Sequence, residues 1–254
     1  MSSEHKQQRL QKVLANAGIA SRRTIEDLIS SGRICVNNKQ AQLGQKVDPQ
    51  LDTIEVDGKL IDKQQLAAKL PIKVLIYNKP VGVVCTRDDE QGRNNIFQYL
   101  PPLKEGRWIN VGRLDINSSG LLLFTNNGEL AHRLMHPSYK IERQYMVRIL
   151  GQVTEEDKQE LLRGIELEDG YGAFSDITQI EKDGANQWLT VSLLEGRKRE
   201  VRRLLDARGL QVNRLMRIAY GEIQLPKELR SNRSQLLTAK EIRELLASVN
   251  LDNK

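Results

Sequence analysis

Two stretches of the sequence carry side chains in patterns that suit chemistry. The first is Val111-Gly112-Arg113-Leu114-Asp115-Ile116-Asn117-Ser118-Ser119-Gly120, followed by the apolar run Leu121-Leu122-Leu123-Phe124-Thr125. It reads as a strand end, a tight loop presenting an arginine and a carboxylate, and a second strand. An aspartate there either closes the turn by bonding its own backbone, which is its commoner use, or acts on a bound molecule. The second stretch is Arg197-Lys198-Arg199-Glu200-Val201-Arg202-Arg203. On a helix, Arg199 would stand one turn from both Arg202 and Arg203. Cations so crowded are compensated by solvent or by phosphate. Arg22, Arg23, Arg33 and Lys39 make a second basic set near the N-terminus. Basic sets in two separate parts of a chain fit a long polyanion such as RNA better than a single nucleotide.

Other chemistries find little support. The sequence has no Walker loop, no GxGxxG after a strand and no HExxH. Asp88-Asp89-Glu90 could hold magnesium, but it lies in the turn-rich stretch 87–95 and reads as a solvent-exposed loop. Ser118 and Ser119 lack an assignable histidine partner, so serine nucleophilic catalysis is not indicated. His136-Pro137 reads as a helix terminus rather than a general base. Cys35 and Cys85 lack metal-ligand spacing, and His5, His132 and His136 are scattered, so buried free thiols and no metal site are expected.

The chain has 254 residues, a formal charge of +6, 39% hydrophobic and 4% aromatic residues, which implies an aliphatic core and favours an anionic partner. Met1-Ser2-Ser3-Glu4-His5-Lys6 leads into an amphipathic segment without an apolar signal core. No apolar run approaches the roughly 18 residues a membrane span needs. A cytoplasmic protein, with no membrane partner, is the expectation.

The elements that must position these residues follow from periodicity. Leu10, Val13, Leu14 and Ala17 fall at helical spacing. Ser21 can cap a second helix with Ile25, Leu28 and Ile29 on its buried stripe. Short strands at 34–36 and 54–56, with turns at Asn37-Asn38 and Asp57-Gly58, complete a small unit over residues 8–62. Residues 63–72, polar and ending at Pro71-Ile72, read as a linker. The remainder, 73–248, mixes strands with a few helices. Ile141, Arg143, Tyr145, Val147 and Ile149 share one face of an alternating strand. Thr154 with Asp157, and Thr238 with Glu241, make capping boxes. A helix is predicted over about 198–208. Without strict strand–helix alternation, the class is α+β.

In their order along the chain, these segments resemble the small-subunit/large-subunit ribosomal RNA pseudouridine synthase family. Gly112-Arg113-Leu114-Asp115 with its small-residue turn and aliphatic strand resembles the family's catalytic signature. Tyr77-Asn78-Lys79-Pro80-Val81-Gly82 is similar to its opening strand and loop, Glu142-Arg143-Gln144-Tyr145 to its tyrosine motif, and residues 194–204 to its third motif. The N-terminal unit, with Leu10–Ala15, Ser21-Arg22-Arg23 and Gly32–Asn37, resembles the S-four-type RNA-binding domain. Arg199-Glu200 in the third motif, Arg133–Pro137 and Gln187-Trp188 are more similar to the B-type synthase of the large subunit than to the small-subunit enzyme, with the E and F types as alternatives. Asn127 stands where the family often has Asp, and a turn residue there carries no chemistry.

The resemblance implies a mixed, mainly antiparallel catalytic sheet, a monomer, and isomerisation of one uridine in a stem-loop of large-subunit ribosomal RNA or its precursor. It implies no cofactor. Asp115 would act at the ribose anomeric carbon, by covalent addition or by removing a sugar proton. Arg202 would pair with it, since a carboxylate in a water-excluding site needs a cation to stay ionised. Tyr145 would stack on the uracil and assist the final proton loss. Arg113 would contact the RNA backbone or fill the space of an extruded nucleotide. Arg197, Lys198, Arg199 and Arg203 would take phosphates, with Lys12, Arg22, Arg23 and Arg33 gripping a flanking helix. An RNA-binding assembly factor without catalysis is the alternative from another class.

Overall fold

The computed structural model describes residues 7–68, 70–87, 89 and 91–251, with Glu181 and Asp183 described by their backbone alone. β1 (Gln8–Arg9) leads into α1 (Leu10–Asn16), and α2 (Arg22–Ser30) starts at Ser21, whose hydroxyl accepts the Thr24 N–H. Next come β2 (Ile34–Val36), β3 (Lys39–Gln40), β4 (Lys46–Val47), β5 (Ile54–Val56) and β6 (Lys59–Leu60). The order β3-β2-β5-β6 makes an antiparallel sheet, and β1 pairs with β4. Asn37, Asn38, Asp57 and Gly58 all take positive φ, the geometry two-residue hairpins require. Leu10, Leu14, Ile25, Ile34, Val47 and Ile54 are fully buried in one apolar cluster. Each contributes roughly 1.5–3 kcal/mol relative to exposure.

The stretch expected as a linker begins with a helix. α3 (Lys63–Ala67) is capped by Asp62 and buries Leu66 in that same cluster. Its other side chains face solvent, so a polar composition concealed a single apolar anchor. Contacts divide the chain into two units. One runs to Ile72 and takes in Pro102–Trp108 and Asn126–Gly128; the other comprises Lys73–Pro101, Ile109–Thr125 and the chain from Glu129.

The second unit carries β7 (Val74–Lys79), β8 (Ile109–Val111), β9 (Ser119–Thr125), α4 (Gly128–Met135), β10 (Arg143–Leu150) and α5 (Glu155–Arg163). The hairpin β11 (Ile165–Leu167) and β12 (Gly170–Gly172) precedes β13 (Asp176–Asp183), β14 (Asn186–Leu193) and α6 (Glu200–Asp206). Then follow β15 (Val212–Tyr220), β16 (Ile223–Gln224), β17 (Ser234–Leu236) and α7 (Ala239–Ser248). Nine strands form one sheet along the path β13-β14-β10-β15-β9-β7-β17, with β8 on β9 and β16 on β15. Its pairings are antiparallel except β9 with β15. Arg143, Tyr145, Val147 and Ile149 alternate inward along β10, and both capping boxes form.

Two local differences from the sequence reading bear on the site. Ser119 and Gly120, expected in a turn, are the first residues of β9. Gly120 pairs with Arg217 at φ +99°, and a Cβ there would run into the Arg217 backbone carbonyl. Only glycine lets the parallel strand approach so closely. The helix expected from about 198 begins at Glu200 because Arg199 adopts the left-handed conformation, φ +54°. Glu200 turns back to accept the Arg197 N–H at 2.9 Å, closing the turn ahead of α6.

Candidate active site

Asp115 sits in a four-residue turn whose backbone is bonded at every carbonyl. The Ser118 N–H donates to the Asp115 carbonyl at 3.0 Å and the Gly82 N–H to that of Ile116 at 2.8 Å. Arg202 Nη2 donates to the Asn117 carbonyl at 3.0 Å. Lys79, fully buried, donates Nζ to the Ser118 carbonyl at 2.8 Å, to Pro80 at 2.9 Å and to Asp115 at 3.2 Å. The lysine that ends β7 thus locks the loop. Burial pushes its ammonium below the ordinary lysine value, with Cys85 and Asp115 opposing. The Asp115 side chain is different. Among the described residues no hydrogen bond or ion pair engages its carboxylate. A turn with all its carbonyls satisfied and its carboxylate unspent has no structural need for that carboxylate.

Asp115 lines a cavity of about 880 Å³ within the second unit, together with Arg113, Leu114, Ser118, Arg143, Tyr145, Arg217, Tyr220 and the segment Glu195–Val201. Tyr145 is 8% exposed and lies opposite Arg217 in the register of β10 with β15. Arg143 donates to the Ile141 and Leu194 carbonyls at 3.1 Å and to the Tyr220 hydroxyl at 3.0 Å. The guanidinium groups of Arg143 and Arg217 each lie 5.0 Å from the Tyr220 ring centroid, a cation–π arrangement that eases their burial. The lining thus brings together Asp115, Tyr145, Arg113, Arg197, Lys198 and Arg199.

Arg202 and Arg203 do not line it. Arg202 makes no ion pair with Asp115; its guanidinium instead holds the Asn117 and Val212 carbonyls at 3.0 and 3.1 Å. Its Nε is buried without a partner. Burial, then the neighbouring Arg199 charge, push this guanidinium below the ordinary arginine value, and Asp115 pulls the other way. Asp115 is therefore an electrostatic neighbour of Arg202 rather than a bonded one.

The basic residues fall into two groups. Arg203 forms a two-bonded pair with Asp169 at 2.6 and 3.0 Å, holding that carboxyl below the usual range. Arg197 bonds Glu200 and the Gly170 and Tyr171 carbonyls. In the small unit, Arg33 is paired with Asp57 at 2.6 and 2.8 Å. These guanidinium groups already have acceptors. Lys198, Arg199 and Arg113 are exposed in the second unit, as are Arg22 and Arg23 in the first, where Lys12 is half-buried. Among the described residues no ion pair engages these six.

Of the acidic run, Asp88 and Glu90 lie outside the described residues, and Asp89 is spent on Arg93 at 2.6 Å. Among the described residues no group of three or more His, Cys, Asp or Glu could hold a metal ion, and no helix is long and apolar enough to cross a membrane. Cys35 and Cys85 are free thiols as expected, but half-buried rather than buried. His136 caps the short turn Pro137–Tyr139, its Nδ1 lying 2.8 Å from the Ser138 hydroxyl.

Sequence reasoning gave no role to Lys79, Arg143 or Arg217. The available signal was parity: Arg143 occupies an inward position of an alternating strand, and Arg217 shares the buried parity of Leu215 in β15. A charge at an inward position either neutralises, finds acceptors or serves a site.

Comparison with known proteins identifies the family. Residues 73–207 match the family model of RNA pseudouridylate synthases and residues 8–52 that of the S4 domain. Over 96% of its length the chain is 53% identical to ribosomal large subunit pseudouridine synthase B of Pseudomonas aeruginosa, spanning 63% of that protein. It is 53% identical over 87% of its length to the protein of the same name from Escherichia coli, spanning 76% of it. A crystal structure of a pseudouridylate synthase, 26% identical, superposes with a TM-score of 0.65 over 93% of this chain and 99% of the other. The chain belongs to the RNA pseudouridylate synthase family and carries an S4 domain at its N-terminal end.

Proposed function

We propose that this protein converts a uridine of large-subunit ribosomal RNA to pseudouridine, with Asp115 as the group that acts at the sugar. The carboxylate left unspent by its own turn, inside a cavity that also holds Tyr145, carries the proposal. The N1–C1′ bond of the nucleotide breaks, the uracil turns over, and a C5–C1′ bond forms. The C5 proton is then lost and N1 gains one, so atoms and electrons balance within the nucleotide. The chain's own groups suffice for this: a carboxylate to add at C1′ or to take the C2′ proton, and an aromatic ring to hold the detached base.

Reaching the cavity requires the nucleotide to leave its stack, which costs a few kcal/mol. Arg113, Lys198 and Arg199 meet the flanking phosphates and offset that cost. Arg197 and Arg203 serve instead to fix the β11–β12 hairpin and the start of α6, since their guanidinium groups are occupied. Lys12, Arg22 and Arg23 grip a flanking helix through shape and phosphate. Arg202 holds the loop and supplies positive potential to Asp115 without bonding it.

The test is to map pseudouridines across ribosomal RNA from cells with and without the protein, and to repeat the map with Asp115→Asn. One position in large-subunit RNA is expected to lose its modification in both cases, while the variant still binds RNA with nearly native affinity. A fully active Asp115→Asn protein would refute the assignment.

A further inference from the structure

Arg217 is the most deeply placed cation on the cavity wall. It is 2% exposed, its Nε donates to the Leu121 carbonyl at 2.7 Å, and its Nη2 is buried with no hydrogen-bond partner. Among the described residues no carboxylate pairs with it. A buried, unspent guanidinium N–H costs about 1–3 kcal/mol or more if left so, and protein interiors rarely tolerate one without a use. Tyr220 under the guanidinium plane and the Leu121 carbonyl fix its orientation. The register sets it directly across from Tyr145 on one side and from Gly120, at the end of the Asp115 loop, on the other.

We propose that Arg217 Nη2 donates to a carbonyl of the target uracil and holds the base while it turns over. This rests on the pseudouridine synthase reading above. A phosphate is the obvious partner for an arginine, but the phosphates stay with the backbone at the cavity mouth, where Lys198 and Arg199 are exposed. The group that travels to the level of Tyr145 is the base. Uracil has a pseudo-twofold axis through N3 and C6 that exchanges N1 with C5 and O2 with O4. Rotation about it is the rearrangement that the reaction needs. A donor aimed at the flank of the ring therefore meets one carbonyl before the turn and the other after it. Once the entering base has displaced the side chains that cover Nη2, Arg217 keeps the same hydrogen bond in substrate and product. It also rejects cytosine when the O4 position faces it, because an exocyclic amine there would set donor against donor.

The experiment uses the full chain and a synthetic stem-loop centred on the uridine located by the mapping above. That position carries uridine, 4-thiouridine or 2-thiouridine, sulfur being the weaker acceptor. With the wild-type protein, each thio-substitution is expected to slow conversion about tenfold, the scale of one hydrogen bond to a charged group. Arg217→Met keeps the apolar stem and Arg217→Lys the charge; both should convert uridine more slowly, and in Arg217→Met sulfur should add no further loss. Equal wild-type rates on all three substrates would overturn the proposal. So would multiplied losses in Arg217→Met, or two variants that fail to fold, since Arg217 would then be a packing residue. Absence of any pseudouridine from the uridine stem-loop would count instead against the parent reading.

Discussion

Replacing Lys79 by methionine removes the ammonium and keeps most of the volume, so it isolates the bonds that hold the Asp115 turn. Three carbonyls lose a donor: Ser118 at 2.8 Å, Pro80 at 2.9 Å and Asp115 at 3.2 Å. Hydrogen bonds to a charged group contribute roughly 1.5–3 kcal/mol each, and taking the ammonium out of water cancels several kcal/mol of that sum. Against this, the carbonyls left behind cost about 1–3 kcal/mol apiece where water does not reach them. The balance is a loss of about 3–5 kcal/mol, or roughly 1–2 M in the urea midpoint at a slope of 2–3 kcal/mol/M. Turnover should fall about a hundredfold, the effect of a displacement near 1 Å at a reacting group. Urea unfolding and release of label from C5 of uridine read the two effects separately. There is also a pH signature. Because burial lowers the Lys79 pKa, the unfolded chain binds more protons than the folded one between the folded value and the ordinary 10.5. Stability therefore gains from this group as pH rises through that window, and the methionine variant lacks the gain. A midpoint within about 0.3 M of wild type and unchanged turnover would refute the reasoning.

Gly120→Ala should prevent the parallel approach of β9 and β15, because the added Cβ meets the Arg217 backbone; a loss of about 3 kcal/mol or more, or an insoluble protein, is expected on expression and thermal unfolding. Asp157 is held below the ordinary 3.8, first by the Thr154 hydroxyl, with burial opposing and Arg208 helping. Its contribution is present above 3.8 and lost as pH falls through its folded value, so Asp157→Asn should flatten acid unfolding below about pH 4. Thr154→Ala should cost about 1 kcal/mol from the same cap. With Arg113, Lys198, Arg199, Lys12, Arg22 and Arg23 taking phosphates, the salt dependence of RNA binding should have a logarithmic slope of about −5. Lys198→Ala or Arg199→Ala should lower that slope by about 1, whereas Arg203→Ala should leave it nearly unchanged.

Signals that live within a few residues were legible in the sequence. The caps at Ser21, Thr154 and Thr238 each pair with a residue three positions on, and the inward face of β10 is a period-two pattern. The tyrosine and aspartate of the cavity came from family-like motifs, because loop chemistry alone gave Asp115 a structural role. What escaped was long-range. Arg203 finds Asp169 across 34 residues and Arg33 finds Asp57 across 24, so composition could count the cations but not tell which were already neutralised. Arg217 reaches Leu121 across 96 residues. Nothing near Arg217 in the sequence announces that β15 lies beside β9.

That placement of β15 governs the order in which the cavity can come into being. On one side of it lie β10, β14 and β13; on the other lie β9, β7, β8 and β17. Asp115 belongs to the second group and Tyr145 to the first, and β15 is the strand that joins them. During synthesis β7, β8 and β9 on one side and β10, β13 and β14 on the other can emerge as separate hairpin-rich pieces before residues 212–220 leave the ribosome, with β17 added to the first piece later still. Closing the gap demands a loop of some hundred residues, the slow kind of contact. A growing chain therefore carries its carboxylate and its tyrosine on unconnected sheets until one late strand slides between them.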